Sequence, residues 1–317
     1  MKLCQTVLLQ AQDPAAPSKN ICKLFLSPFS GTAKSIPVDN VSEETTATQR
    51  DDASDASTPD ISVDSPLDDH TTATAVRDLL TAVAPTLRSL VIDMPLRSLY
   101  PEDDHNGVRP ILRAGFSALT SLENFVSVRD ELFLSTTEAR DEPEVWATLW
   151  PKLQRLALYN LDLGAEGIWN QLSNLPYLQA AVFGRADGYG EDIDHEVDHA
   201  WHALLGLDVK KEWLQAIELS NKDGNVERVG TITLIFADVA DLQPRFGKYA
   251  ESWQTLDPDG NIQVLLADVP EPGRVHAADA VGGQEACPIE LTQQFLLRHG
   301  LDGTLWDKTA CWIRKEE

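Results

Sequence analysis

Cysteine is scarce in this 317-residue chain, and none of its four copies (Cys4, Cys22, Cys287 and Cys311) stands in a CxxC pair. Disulfide frameworks and zinc knuckles need tight, repeated spacings, so reduced and mostly buried thiols are expected. Long apolar runs are missing as well. The longest, Val229 to Ala240, is interrupted by Asp238 and falls well short of the ~20 residues that cross a bilayer. The N-terminus has the single charge of Lys2 and a short apolar stretch broken by Gln5 and Gln10, which does not make a signal peptide. Positive charge is the third shortage, with 26 Lys and Arg against 50 Asp and Glu, a formal net charge of −24. That field repels phosphate backbones and anionic lipid, which argues against nucleic acid and membrane as partners. The expectation is a soluble, cytoplasmic monomer whose partner is a protein of basic or mixed charge.

Catalytic signatures are also lacking. There is no GxSxG, no GxxxxGK[ST] and no GxGxxG, and Val281-Gly282-Gly283-Gln284 reads as a loop rather than a phosphate cradle. Asp257-Pro258-Asp259-Gly260-Asn261 resembles a calcium loop only at its start. The sixth position is Ile262 instead of glycine and the twelfth is Asp268 instead of glutamate, so a turn is expected. No catalytic, cofactor-binding or metal-ligating residue is assigned on this basis, and no cofactor is expected.

What the chain does contain is 43% apolar residues, eight tryptophans and a recurring motif, an apolar residue followed by others at +3 and +5. It reads Leu87, Leu90 and Ile92; then Leu122 and Phe125, with Ser127 weakening the last position; then Leu153, Leu156 and Leu158, closed by Asn160. It continues as Leu178, Ala181 and Phe183, and as Val229, Ile232 and Leu234, with an early copy at Ile21, Leu24 and Leu26. From Leu87 through Leu122 and Leu153 to Leu178 the spacings are 35, 31 and 25 residues, irregular but within the range of repeat arrays. The end of each motif predicts a short strand whose alternate residues point inward.

Each copy is preceded by a stretch with helical periodicity. Ala75–Ala84 places Val76, Leu79, Leu80 and Val83 on one face. Val108–Leu119 follows, with Pro110 in its first turn. Glu144–Leu153 carries Trp146, Leu149, Trp150 and Leu153 behind a capping-box-like Asp141 and Glu144. Ile168–Leu175 and Trp201–Leu219 complete the series. Helices alternating with LxxLxL strands cannot bury their apolar faces singly, and stacking does so. The expected fold is therefore α/β, a leucine-rich-repeat-like solenoid of short parallel strands alternating with helices, closed by an α/β C-terminal cap. Its expected divisions are an N-terminal repeat-like segment at 1–30, a disordered acidic insertion at 31–72, the solenoid at 73–240 and the cap at 241–317. The insertion is polar, lacks aromatics around Asp51–Asp60 and holds Thr58-Pro59 and Ser65-Pro66. The cap contains a strand at Ile262–Leu266 and a helix near Glu290–Arg298, with a tail through Trp306 and Trp312.

Three segments, Ser121–Leu134, Glu142–Asn160 and Leu175–Phe183, carry a resemblance to the leucine-rich-repeat half of fungal F-box-type proteins, spread over roughly residues 75–240. The resemblance implies a non-enzymatic interaction scaffold, the substrate-recognition part of a ubiquitin ligase receptor. An F-box of three short helices opening on an LPxE-like stretch is not found in Met1–Asp39. For a binding role the expected surface is the strand ladder. Its non-core positions are Arg88, Ser89 and Val91; Glu123, Asn124 and Val126; Gln154, Arg155 and Ala157; Gln179, Ala180 and Val182. Arg88, Glu123, Asn124, Gln154, Arg155 and Gln179 are the partner-binding candidates among them.

The rival from another class is His195-Glu196-Val197-Asp198-His199, a formal HExxH. On a helix it would set two imidazoles on one face around zinc, with Glu196 as general base of a zinc-dependent hydrolase. Its context is acidic, Asp198 sits inside it, and the extended pattern meets His202 and Leu205 instead of glycine and histidine. A solvated acidic helix start is expected instead, and Glu218 as a downstream third ligand is unremarkable in so acidic a chain. Elemental analysis of the purified protein should accordingly find no stoichiometric zinc. Zinc that disappears in His195→Ala would install the hydrolase reading.

Overall fold

The computed structural model describes residues 21–29, 69–96, 101, 104–136, 142–186, 207–222, 231–238, 246–270, 287–307 and 309–312. Within them, short strands and helices alternate along the chain: β1 (Lys23–Leu26), α1 (His70–Val83), β2 (Ser89–Ile92), α2 (Val108–Ser117), β3 (Asn124–Ser127), α3 (Val145–Thr148), β4 (Arg155–Tyr159), α4 (Ile168–Ser173) and β5 (Ala180–Gly184). The series continues with α5 (Val209–Lys222), β6 (Ile232–Ala237), α6 (Ala250–Leu256), β7 (Ile262–Ala267), α7 (Pro288–Asp302) and β8 (Thr309–Trp312). All eight strands form one sheet in sequence order. β1 to β7 are parallel throughout, and β8 closes the edge antiparallel to β7. The expected α/β class with parallel strands and intervening helices is therefore present.

The pairing register sorts the side chains into rows. Leu24, Leu90, Phe125, Leu156, Ala181, Leu234 and Val264 form one inward row, and Leu26, Ile92, Ser127, Leu158, Phe183, Phe236 and Leu266 the next. Through β5 these are the motif positions, but the copy expected at Val229, Ile232 and Leu234 is shifted by two residues, with Leu234 beside Ala181 and Phe236 beside Phe183. The rows pack against the buried stripes of α1 to α6 in one continuous core. Ser127, the weak position, is fully buried and offers its hydroxyl to the Asp130 carboxylate, which satisfies it within the core. Asp130 also accepts from Leu132 N at 2.8 Å. Aromatic side chains thread the same core, from Phe125 against Trp150 to Phe183 against Phe236.

A second ladder joins successive units. The residue just before each of β1 to β4 uses one carbonyl to accept two N–H groups from the next unit. Cys22 O accepts from Arg88 N and Ser89 N, Arg88 O from Glu123 N and Asn124 N, Glu123 O from Gln154 N and Arg155 N, and Gln154 O from Gln179 N and Ala180 N. Past the strands, Asn160 and Arg185 occupy equivalent places beyond β4 and β5, and both have positive φ. Asn160 tolerates that conformation well.

Several local expectations needed correction. α1 starts at His70 rather than Ala75, because Asp69 caps it by accepting from Thr71 N and Thr72 N. Three residues assigned to the acidic insertion are thus helical. The helix expected over Glu144–Leu153 is a single turn, since Pro151 disfavours helical geometry at Trp150. Its stripe is nevertheless buried at Trp146, Trp150 and Leu153. Glu144 is the N-cap residue itself and makes no side-chain cap bond, and Asp141 lies outside the described residues. Cys22 and Cys287 are exposed rather than buried. Most of the acidic insertion and the first part of the expected Trp201–Leu219 helix fall outside the described residues; in the described part, α5 begins at Val209.

The segment expected as the C-terminal cap extends the sheet and crosses its outer face. Residues 246–267 add a further helix and parallel strand, with Ile232 to Phe236 of β6 paired in register to Ile262 to Leu266 of β7. α7 then lies across the outer face of the sheet, where Phe295 and Leu296 join Val91, Val126, Ala157, Val182 and Ile235 in a second apolar layer. Glycine permits that approach at two points. A Cβ on Gly300 of α7 would sit 3.2 Å from Val126 Cγ1, and one on Gly184 of β5 would sit 2.7 Å from Leu296 Cδ1.

The Asp257 turn ties the last units together. Asp257 is 8% exposed and accepts from Lys210 Nζ at 2.9 Å, Asn261 N at 2.8 Å and Ile262 N at 2.9 Å. Burial pushes this carboxyl up, but the Lys210 ammonium and the two amides outweigh it and hold the pKa below the usual carboxylate value. Its contribution is present above the unfolded carboxylate pKa and is lost as pH falls through the lower folded value. Asp257→Ala leaves the Lys210 charge buried and unpaired, and should destabilise the protein by about 3–5 kcal/mol in urea unfolding near neutral pH.

Candidate binding face

The six candidates lie together along the N-terminal ends of β2 to β5. Arg88, Glu123, Gln154 and Gln179 occupy the positions immediately before the strands, where their carbonyls carry the inter-unit ladder. Asn124 and Arg155 begin the strands and belong to the outer-face row Lys23, Ser89, Asn124, Arg155, Ala180, Thr233 and Gln263. Arg88 pairs with Glu123 at 3.4 Å and donates to Ser121 O, and so is engaged within the protein. Gln179 and Arg155 are exposed, and Asn124 and Gln154 are partly exposed.

Other outer-face positions are not open as expected. Val91, Val126, Ala157 and Val182 are at most 4% exposed. The cover is α7, which the sequence pattern did not place on this face. An apolar row seven strands wide cannot face water without cost, and the helix buries its middle.

Cover is incomplete towards β1. Phe25, the first member of the apolar row, remains 42% exposed. Between the open ends of β1 to β4 and the C-terminal end of α7 lies a groove of about 290 Å³. Its polar side is the row Lys23, Ser89, Asn124 and Arg155; its apolar floor is Phe25, Val91 and Val126; and Gly300, Gly303 and Trp306 form the opposite wall. Among the described residues, the groove walls contain no aspartate or glutamate. Neither Lys23 nor Arg155 has a salt-bridge partner among the described residues, and the side chains of Ser89 and Asn124 make no hydrogen bond there. Lys23 and Trp306 were missed by sequence reasoning, which had placed Ser89 on the ladder. Only the pairing of β1 with β2 and the return of the C-terminal segment bring them to the candidates.

A second polar cluster, also unforeseen, lies where the loop after β3 meets α2. Arg109 is 1% exposed, donates Nε to Ser135 O at 2.6 Å and Nη2 to Phe133 O at 2.9 Å, and stacks over the Phe133 ring. Arg113, one turn on, pairs with Glu142 at 2.7 Å. The sequence signal was a basic pair at i and i+4 on an otherwise apolar helix. Glu144 lies beside them with one carboxyl oxygen buried and lacking a hydrogen-bond donor. Burial, and then the nearby Glu131 charge, push its pKa up to about 8.

The HExxH residues His195 to His199 lie outside the described residues, as does Val281–Gln284. Among the described residues no group of three or more His, Cys, Asp or Glu could hold a metal ion. No helix among them is long and apolar enough to cross a membrane. Comparison with models of protein families, with curated proteins and with solved structures finds no match to this chain.

The raised Glu144 pKa fixes the sign of a pH effect. The folded state binds more protons than the unfolded chain between the ordinary glutamate pKa, 4.5, and about 8, so this group's contribution to stability falls as pH rises through that window. Glu144→Gln removes the buried charge. Its Tm should exceed that of the parent by about 5 °C near pH 8.5 and by little near pH 4.5, measured by thermal melts.

Proposed function

We propose that the chain is a non-enzymatic protein-interaction scaffold, a leucine-rich-repeat-like solenoid that holds its partner on the outer face of the strands. The observation that carries this reading is the open groove at β1 to β4. There a row of polar side chains without internal partners stands beside exposed apolar surface, the combination that marks recognition surfaces. Support for the solenoid comes from the one-directional strand order, the in-register rows and the repeated double-acceptor carbonyls. The fungal F-box resemblance extends the proposal to the substrate-recognition part of a ubiquitin ligase receptor. The partner is a protein of mixed charge, matching a cationic groove on a body of net charge −24.

A photo-crosslinking residue placed at Asn124 should give discrete protein adducts in cell extract, and the same residue at exposed Gln254 on α6 should not. Adducts from Gln254 alone, or from neither position, would show that the outer strand face is the wrong surface.

A further inference from the structure

We propose that the groove at β1 to β4 takes an extended acidic segment of the partner, with two carboxylates flanking one apolar side chain. This rests on the interaction reading above and adds the chemistry of the bound segment. Charge is the first ground. In a chain with 50 acidic and 26 basic residues, this groove is lined by two cations and no acid. The C-terminal end of α7 opposes them with a partial charge of about −0.5, less than either cation alone. The neighbouring acids are already engaged, Glu123 with Arg88 and Asp302 with Thr304 N at 2.8 Å.

Dimension is the second ground. Lys23 and Arg155 stand on β1 and β4, in one register row. Three inter-strand steps of ~4.8 Å separate their backbones by about 14 Å. An extended chain rises ~3.3 Å per residue, so its first and fifth residues lie about 13 Å apart and share a face with the third. Carboxylates at the first and fifth positions then reach Arg155 and Lys23. The third side chain packs against half-exposed Phe25 and Leu301, and Ser89 and Asn124 meet the peptide backbone between them. The groove of about 290 Å³ has room for one or two side chains.

The test uses the full chain and a fluorescein-labelled peptide with the core Glu-Ser-Leu-Ser-Glu, read by fluorescence anisotropy. Saturable binding is expected. It should weaken about tenfold or more when leucine becomes serine, and similarly in the double variant Lys23→Glu with Arg155→Glu. It should also weaken on raising salt from about 50 to about 300 mM. Both substituted side chains are exposed, and an unchanged thermal melt of the double variant excludes misfolding as the cause. Equal or tighter binding of the Lys-Ser-Leu-Ser-Lys peptide, indifference to the charge reversal, or no saturable binding of the acidic peptide overturns the proposal. If the acidic peptide fails while the Asn124 adduct still forms, only the ligand chemistry is lost. Failure of both removes the interaction reading as well.

Discussion

In-register parallel pairing of consecutive strands is the constraint on which everything else in this protein depends. Side chains alternate across a strand, so a one-residue slip in any pair would turn the motif leucines outward and the charged row inward. The register is held from two directions. Fully buried leucines and phenylalanines in adjacent strands stack on the helix side. At the strand entrances, the carbonyls of Cys22, Arg88, Glu123 and Gln154 each bind two amides of the next unit. Burial alone keeps the face but tolerates a two-residue slide, whereas the paired amides do not.

Once the register is set, the outer face becomes a problem of its own. The outer-face row from Phe25 through Val91, Val126, Ala157, Val182 and Ile235 to Leu265 is an apolar band, and α7 covers its central part with Phe295 and Leu296. Gly184 and Gly300 set how closely the helix can approach, and the helix ends at Gly303 before it reaches β1. The uncovered remainder is the groove. Its cationic lining is local and does not follow from the net charge of −24. Bulk charge governs long-range encounter, whereas the side chains within a few ångströms govern what fits.

The alternation of helices and strands was legible because period-3.6 stripes such as Val76, Leu79, Leu80 and Val83 and short LxxLxL runs are separate signals. Boundaries were less so. Asp69 begins α1 through a cap outside the apolar stripe, and Pro151 stops α3 although the stripe runs past it. Of the binding face, the polar positions of β2 to β5 were legible from alternation, including Asn124 and Arg155. The valines beside them were misjudged as solvent-facing, because no local pattern reveals a helix that arrives from well over a hundred residues away. Of Arg109, Arg113, Glu142 and Glu144, only the i and i+4 spacing of the two arginines left a signal. Their pairing joins α2 to a loop, and a charged residue in sequence carries no mark of its burial.

The sequence by itself determined the strand and helix units, the leucines that face the helices and the acidic character of the whole, since these depend on composition and short-range periodicity. Only the tertiary structure decided that β1 pairs with β2, that α7 lies over the sheet's other face and that Lys23, Arg155 and Trp306 share one groove. Those outcomes depend on which surfaces meet after the chain has closed on itself, and contacts between distant segments leave no period to read.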